Sequence, residues 1–220
     1  MVKNIKKSFK YFIIVAGITI LLPTLFYLLL QIPEVQTLLI KRITNHFSSQ
    51  LKSTISLGNI EYSFFNKLSI SDILIKDKNT DTLVYSQKLN VVIRRIDFRN
   101  KKVMLGRVTL LKPVIAIITD STGLMNLTWY LDLLKNPSDT SQKAKNQFTI
   151  DQIDISDARF SMINHTAARG KTKMDLKNMH LFDINGIIED LKIENDTTSF
   201  NIYNLAFEEK SGLSVNRMSC

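Results

Sequence analysis

The sequence predicts a mainly β fold carried on an N-terminal membrane helix. The expected sheet is curved and of antiparallel type, with one apolar face forming a groove, and an amphipathic helix precedes it. Three observations lead there. Residues 12–30 carry no charged side chain and are almost all apolar. Val35, Leu39, Ile43, Phe47 and Leu51 then recur at every fourth position, the spacing of one helix face. From Thr54 onward the apolar period falls to two, the period of a strand.

Composition narrows the function classes. The chain has 220 residues, 22% charged and 45% hydrophobic, which suits a folded chain and not a disordered one. Its one cysteine, Cys220, excludes an internal disulfide and a thiolate cluster. The histidines, His46, His165 and His180, stand far apart in sequence, so no metal site and no cofactor are expected. The formal charge of +9 is concentrated partly in Lys3, Lys6, Lys7 and Lys10 and is otherwise too dispersed to argue for nucleic acid.

Residues 1–11 read as a basic cytoplasmic segment and 12–30 as a transmembrane signal anchor, with Phe12, Ile13, Ile14, Leu21, Leu22, Pro23, Phe26 and Leu30 as anchor residues. As a helix, 12–30 would reach about 29 Å, close to the roughly 30 Å of a hydrocarbon core. Pro23 is expected to kink it, which a membrane helix tolerates. The run is longer than the core of a cleavable signal, and no small-residue cleavage site follows it. Four lysines precede the run and only Lys41 and Arg42 follow closely. Positive flanks stay inside, so residues 31–220 are expected outside the cytoplasm, which in a bacterium is the periplasm.

Residues 31–135 form the expected N-terminal unit. Its helix, over 34–52, opens on Pro33 and Glu34, with proline tolerated and an acid favoured in a first turn. Its apolar stripe suits packing on its own domain; lying on the membrane surface beside the anchor is the alternative.

The strand region repeats one pattern: two apolar residues two apart, a mostly polar pair, then two more apolar residues two apart. It appears as Ile55, Leu57, Ile60, Tyr62, then as Leu68, Ile70, Ile73, Ile75, and as Val103, Leu105, Val108, Leu110. It returns as Phe148, Ile150, Ile153, Ile155 and as Met174, Leu176, Met179, Leu181, with a looser copy at Phe200, Ile202, Leu205, Phe207. In a regular strand the second pair would face away from the first. An extra residue between them, a β-bulge, resets the parity and puts both pairs on one face. Gly58 and Gly106 stand at two of these midpoints. The twenty residues of the first five copies are therefore the expected groove lining. Asp120, Gly123 and Asn126 read as a hairpin turn with glycine at the positive-φ position.

A short helix is expected over 129–135 and an exposed linker over 136–147, NPSDTSQKAKNQF without its last residue. A second run of β repeats, 148–220, then breaks off after Leu213 and Val215, as expected of a piece of a longer protein. The basic stretch from Arg94 to Arg107 reads as a solvated edge that discourages strand pairing, with anionic headgroup contact as the alternative. No phosphate-binding loop, metalloprotease motif or nucleophile elbow occurs, and the carboxylates Asp154, Asp157, Glu189 and Asp190 read as solvent-facing, so no enzyme is expected.

The order of features resembles the N-terminal region of AsmA/TamB-like proteins, in particular the long TamB-like form of Bacteroidetes. It runs from the anchor through Ile32, Pro33, Glu34, Val35, Gln36, then Leu57, Gly58, Asn59, Ile60, then Phe64, Phe65, Asn66, Lys67, Leu68. It continues through Asp77 and Asp81 to Tyr85, Val108 to Pro113 and Asp120 to Asn126, and spans residues 1 to about 215. The resemblance implies an inner-membrane-anchored periplasmic protein related to bridge-like lipid transfer proteins, with membrane phospholipid as cargo. It also implies a role in outer-membrane biogenesis, and for TamB-like members a barrel partner in the outer membrane met by a C-terminal region. This chain departs there: it is too short to cross a periplasm and lacks that region. A scaffold for outer-membrane protein assembly is the alternative function.

Overall fold

The computed structural model describes residues 2–51, 53–63, 66–97, 99, 102–128, 147–166, 175–194 and 197–220. Among the described residues, two helices of more than one turn lead into ten strands. The helices are α1 (Val2–Leu30) and α2 (Pro33–Leu51). The strands are β1 (Ile55–Ser56), β2 (Ile60–Ser63), β3 (Lys67–Lys76), β4 (Thr82–Asp97), β5 (Lys102–Leu111), β6 (Val114–Thr119), β7 (Gln147–Asn164), β8 (Asn178–Glu194), β9 (Thr197–Glu209) and β10 (Ser214–Met218).

Helix α1 begins well before the apolar run and continues through Pro23. Proline deprives Thr19 of its helical donor but does not end the helix. The large bend falls later. Ile14–Leu30 and Pro33–His46 meet at 78° across residues 31–32, where the sequence reading places no kink. Among the described residues no single helix is both long and apolar enough to cross a membrane; this bent pair meets that condition only together. Helix α2 carries Pro33 and Glu34 in its first turn as expected, and Val35, Ile40, Thr44 and Ser48 are half-buried. Its tie to the sheet is polar as well: Gln31 Nε2 donates to Tyr62 O at 3.0 Å, and Ile55 N donates to Ser48 Oγ at 3.1 Å.

All ten strands belong to one sheet, in the order β1-β3-β4-β5-β7-β8-β9-β10, with β2 beside β3 and β6 between β4 and β7. The two strand runs of the sequence are thus joined edge to edge. The sheet is mixed, which corrects the antiparallel expectation: β5 and β6 run parallel to β7. The reason is the long connection over 120–146, since a parallel neighbour needs a crossover rather than a hairpin. The expected helix over 129–135, and the expected linker up to residue 146, lie outside the described residues.

β5 and β6 are two pieces of one line, both flanked by β4 and β7. The break is at Lys112, with φ 48°, and Pro113, which has no N–H for the ladder. The neighbouring strand stays attached across it: Lys112 N donates to Ser156 O at 2.9 Å and Arg159 N to Pro113 O at 2.8 Å.

Left-handed residues interrupt other strands as well: Asp72 in β3, Asp157 in β7, Asp183 and Asp190 in β8, and Asn204 in β9 all have φ between 49° and 54°. Asp and Asn are the non-glycine residues that take this conformation at least cost. Each lets its strand change the face of every residue beyond it.

Candidate functional site: an apolar band across the strands

One apolar cluster centres on Val108, Ile150 and Ile153. Leu89, Val91, Leu105, Leu110, Phe148, Ile155, Ile188 and Leu191 pack around them. Within β7, Ile150 and Ile153 are separated by an odd number of positions and still share this cluster, as do Leu105 and Val108 of β5. A regular pleat would place each pair on opposite faces.

The means differ from strand to strand. In β5, Gly106 and Arg107 together oppose the single residue Val92 of β4, a bulge at the expected midpoint. In β3 the midpoint residue Asp72 is itself left-handed. In β7 the midpoint Asp151 faces Asp190 of β8, and Asp190 takes the positive φ. Gly58, opposite Asp72, is needed for a different reason: a Cβ there would stand 3.0 Å from Asp72 Oδ2 and 3.1 Å from Ser71 O. Gly106 has no such constraint, because its nearest neighbour would be 3.5 Å away.

The copies also stand in register. Leu68 and Ile70 of β3 pair with Val91 and Leu89 of β4, which pair in turn with Val108 and Leu110 of β5. Val103, Leu105, Val108 and Leu110 pair with Phe148, Ile150, Ile153 and Ile155 of β7. Phe148, Ile150, Ile153 and Ile155 pair with Ile193, Leu191, Ile188 and Gly186 of β8, and Ile188 meets Ile202 of β9. Apolar rungs therefore run sideways, from strand to strand, across the sheet. At roughly 4.8 Å per strand, the six strands that these rungs cross, β3, β4, β5, β7, β8 and β9, span about 24 Å.

The band is partly open. Its most buried members, Val108, Ile150 and Ile153, retain 6%, 7% and 9% of their exposure, and the others are half-buried. Apart from isolated contacts, the described elements touch the sheet only as paired strands, or as α2 against β1 and β2.

Four rungs escaped the sequence reading: Leu89, Val91, Ile188 and Leu191. Both pairs belong to copies in which one apolar position is substituted. In β4 the copy is Val84, Ser86, Leu89, Val91, and Ser86 is 3% exposed, with its hydroxyl donating to Lys88 O at 3.1 Å or Leu111 O at 3.2 Å. In β8 the copy is Gly186, Ile188, Leu191, Ile193. The spacing was the available signal, had serine and glycine been admitted to it.

Other predicted lining residues fall elsewhere. Ile55, Ile60, Tyr62, Leu68, Ile70, Ile73, Ile75 and Val103 are half-buried strand residues outside the central cluster. Leu57 lies in the break between β1 and β2. The fifth copy is not one strand: Leu176 sits in the turn before β8 and is 65% exposed, while Met179 and Leu181 lie in β8 opposite Met162 and Phe160. The physical reason is local, since Asp175 Oδ1 accepts from Lys177 N at 3.0 Å and Asp175 O from Asn178 N at 3.0 Å, a turn that competes with the strand. Met174 lies outside the described residues.

Two of the four carboxylates named from the sequence, Asp154 and Asp157, lie beside bases, and so does Asp151. Arg107 Nε is 3.5 Å from Asp154 Oδ2, Lys112 Nζ is 3.9 Å from Asp157 Oδ2, and Arg94 Nη1 is 2.7 Å from Asp151 Oδ2. These three aspartates recur at every third residue of β7. Exposed pairs of this kind each contribute at most about 1 kcal/mol.

The 120–126 turn forms around Asp120. Its Oδ1 accepts from Thr122 N, Thr122 Oγ1 and Leu124 N, and Gly123 has φ 86°. The Thr122 hydroxyl, then the Leu124 amide, hold the Asp120 carboxyl below its ordinary range. Asn126 acts outside the turn: it accepts from Ile118 N and donates to Ala116 O at 3.1 Å and to Asp77 Oδ2 at 3.3 Å. It thereby joins β6 to the β3–β4 turn.

In α1, Ile14, Leu21, Leu22 and Phe26 are exposed, as is Pro23, and Leu30 is half-buried. The side chains of Phe12 and Ile13 lie outside the described residues. In comparisons with known proteins, no protein-family model and no curated sequence matches this chain.

Proposed function

We propose that this chain is an inner-membrane-anchored, periplasmic segment of a bridge-like lipid transport protein of AsmA/TamB type. Acyl chains of phospholipid move along the apolar band toward the outer membrane, and the protein is not an enzyme. The observation that supports this most is the lateral register of the apolar pairs, because it makes a path rather than a patch. Each rung continues onto the next strand, so a hydrocarbon tail passing along it exchanges one apolar neighbour for another. The gain from covering such surface is roughly 25 cal/mol per Å² wherever the tail lies, so no rung traps it. A leaflet is about 15 Å deep, half of a hydrocarbon core, and a band of about 24 Å accommodates whole tails.

Helix α1 supplies the anchor in this reading. Ile20, Leu21 and Phe26 are 70%, 67% and 63% exposed, and α1 makes its main contact only with α2. An apolar helix with no protein cover belongs in lipid. Its N-terminus is cytoplasmic, because the lysines lie there.

Photo-crosslinking residues at Leu105, Ile150 and Leu191, with Asp154 as the control on the charged side, test the proposal. Phospholipid adducts at the first three sites and not at the control are expected. Adducts to protein alone at those sites overturn it.

A second reading rests on the edge strand β10, which among the described residues has β9 as its one strand neighbour. An open edge can add a strand from a client or a barrel partner, as a scaffold for outer-membrane assembly would. Recovery of a barrel protein together with a lipid-free periplasmic part favours that reading over the first.

A further inference from the structure

The bend between the two helices carries a consequence for the second one. Helix α2 starts at Pro33, directly after α1 ends at Leu30, and lies at 78° to it. If α1 stands upright in a bilayer, α2 lies about 12° from the membrane plane, and within roughly 30° of it for an ordinary helix tilt. Its start is then at the level of the headgroups.

The two faces of α2 differ. Half-buried Ile40, Thr44 and Ser48 share one face, which turns toward the sheet edge at Ser48, whose Oγ accepts from Ile55 N. Leu38 and Leu39 face outward, 62% and 36% exposed, with exposed Lys41 and Arg42 one turn further on and Glu34 one turn before. Two leucines beside two cations, on a helix in the membrane plane, match an interfacial helix: the leucines enter the acyl boundary and the cations meet phosphates. Each cation near an anionic surface contributes about 1 kcal/mol, enough to outweigh the one acid.

We infer that the outward face of α2, through Leu38, Leu39, Lys41 and Arg42, docks on the anionic phospholipid surface of the membrane that holds α1. The inference rests on reading α1 as the anchor. Because α2 runs along β1 and β2, this docking lays that sheet edge on the membrane. The strands then lie along the surface and stack away from it, with the β3–β4 rungs nearest the lipid source.

The test uses the full chain with Cys220→Ser, in nanodiscs of phosphatidylethanolamine and phosphatidylglycerol or of phosphatidylcholine alone. A fluorescent label is placed at Leu38→Cys, and in a second protein at Leu21→Cys. Quenching by lipids brominated on their chains is expected at both sites in the anionic discs. Lys41→Glu with Arg42→Glu is expected to lower quenching at position 38 by about half or more while leaving position 21 unchanged. A quenched label at 21 with an unquenched label at 38 overturns the docking and leaves the anchor standing. Quenching at 38 that is equal in phosphatidylcholine overturns the anionic preference. An unquenched label at 21 overturns the anchor reading, and this inference with it.

Discussion

Gly58 lies so close to Asp72 that a Cβ at position 58 would come within 3.0 Å of the Asp72 carboxylate and 3.1 Å of the Asp72 Cβ. The close approach is the first point of the line of breaks in the strands. Asp72 is left-handed, and Gly58 N donates to Ser71 O at 2.9 Å, so the two chains are bound where a side chain would part them. Gly58→Ala is therefore expected to destabilise the fold by about 1–2 kcal/mol, the usual cost of overpacking. Gly17→Ala, with nothing within 4 Å of the added methyl, is expected to leave the sheet unchanged. Urea unfolding of the chain in nanodiscs, followed by the strand signal in circular dichroism, checks both.

Asp183 offers a test of the left-handed breaks themselves. Its φ is 50°, and its backbone O accepts from Asn185 Nδ2 at 2.9 Å, a bond that any residue there keeps. Asp183→Val is expected to cost at least about 1–2 kcal/mol, because a β-branched residue is poorly tolerated at positive φ. Asp183→Gly is expected to cost nothing or to stabilise. The same unfolding measurement separates them, and equal losses for the two would refute the conformational account.

Ile153 tests how much of the sheet's stability the band supplies. Ile153→Ala is expected to lose about 2 kcal/mol, the lower end for a buried aliphatic side chain, because the surrounding face is half open and no closed cavity is left. Saturating the protein with phospholipid before unfolding is expected to recover part of the loss if tails cover the band.

Glu209 makes stability depend on acid pH. Its carboxylate accepts hydrogen bonds from the Ser211 hydroxyl, from Ser211 N at 2.7 Å and from His180 N at 3.4 Å. The Ser211 bonds hold its pKa below the ordinary value of 4.5. The folded state thus prefers the charged form, and the unfolded chain takes up the proton first. The contribution is present above the ordinary value and lost as pH falls through the lower, folded one. The protection of the Lys210 and Gly212 amides, which donate to His180 O and Glu209 O, is expected to fall in that acid window once exchange is divided by the intrinsic rate at each pH. In Glu209→Gln the protection of these amides is expected to be lower at neutral pH and to show no further loss in that acid window.

Much of this architecture was legible in the chain before folding. Helix α2 follows from Pro33, Glu34 and the four-residue apolar spacing. The strands follow from a period of two, and the bulge at Gly106 from an apolar pattern that makes sense only if parity changes. The copies containing Ser86 and Gly186 were missed because a buried hydroxyl can be satisfied by carbonyls, and because a glycine leaves its rung short. The Leu176 copy was misread because Asp175 closes a local turn that competes with the strand.

Local chemistry thus determined by itself which segments become helix or strand, and where a strand must change face, since side-chain shape and turn-forming carboxylates act within a few residues. Which copies stand side by side was decided only by the tertiary structure. Backbone ladder bonds are the same for every residue type, so the parallel pairing of β5 and β6 with β7, and the alignment of Leu105 with Ile150 and Leu191, arise from packing among segments far apart in the chain. The placing of α2 along the sheet edge belongs to the same class: Gln31, in the break before it, and Ser48 bond to Tyr62 and Ile55, partners that lie outside the helix.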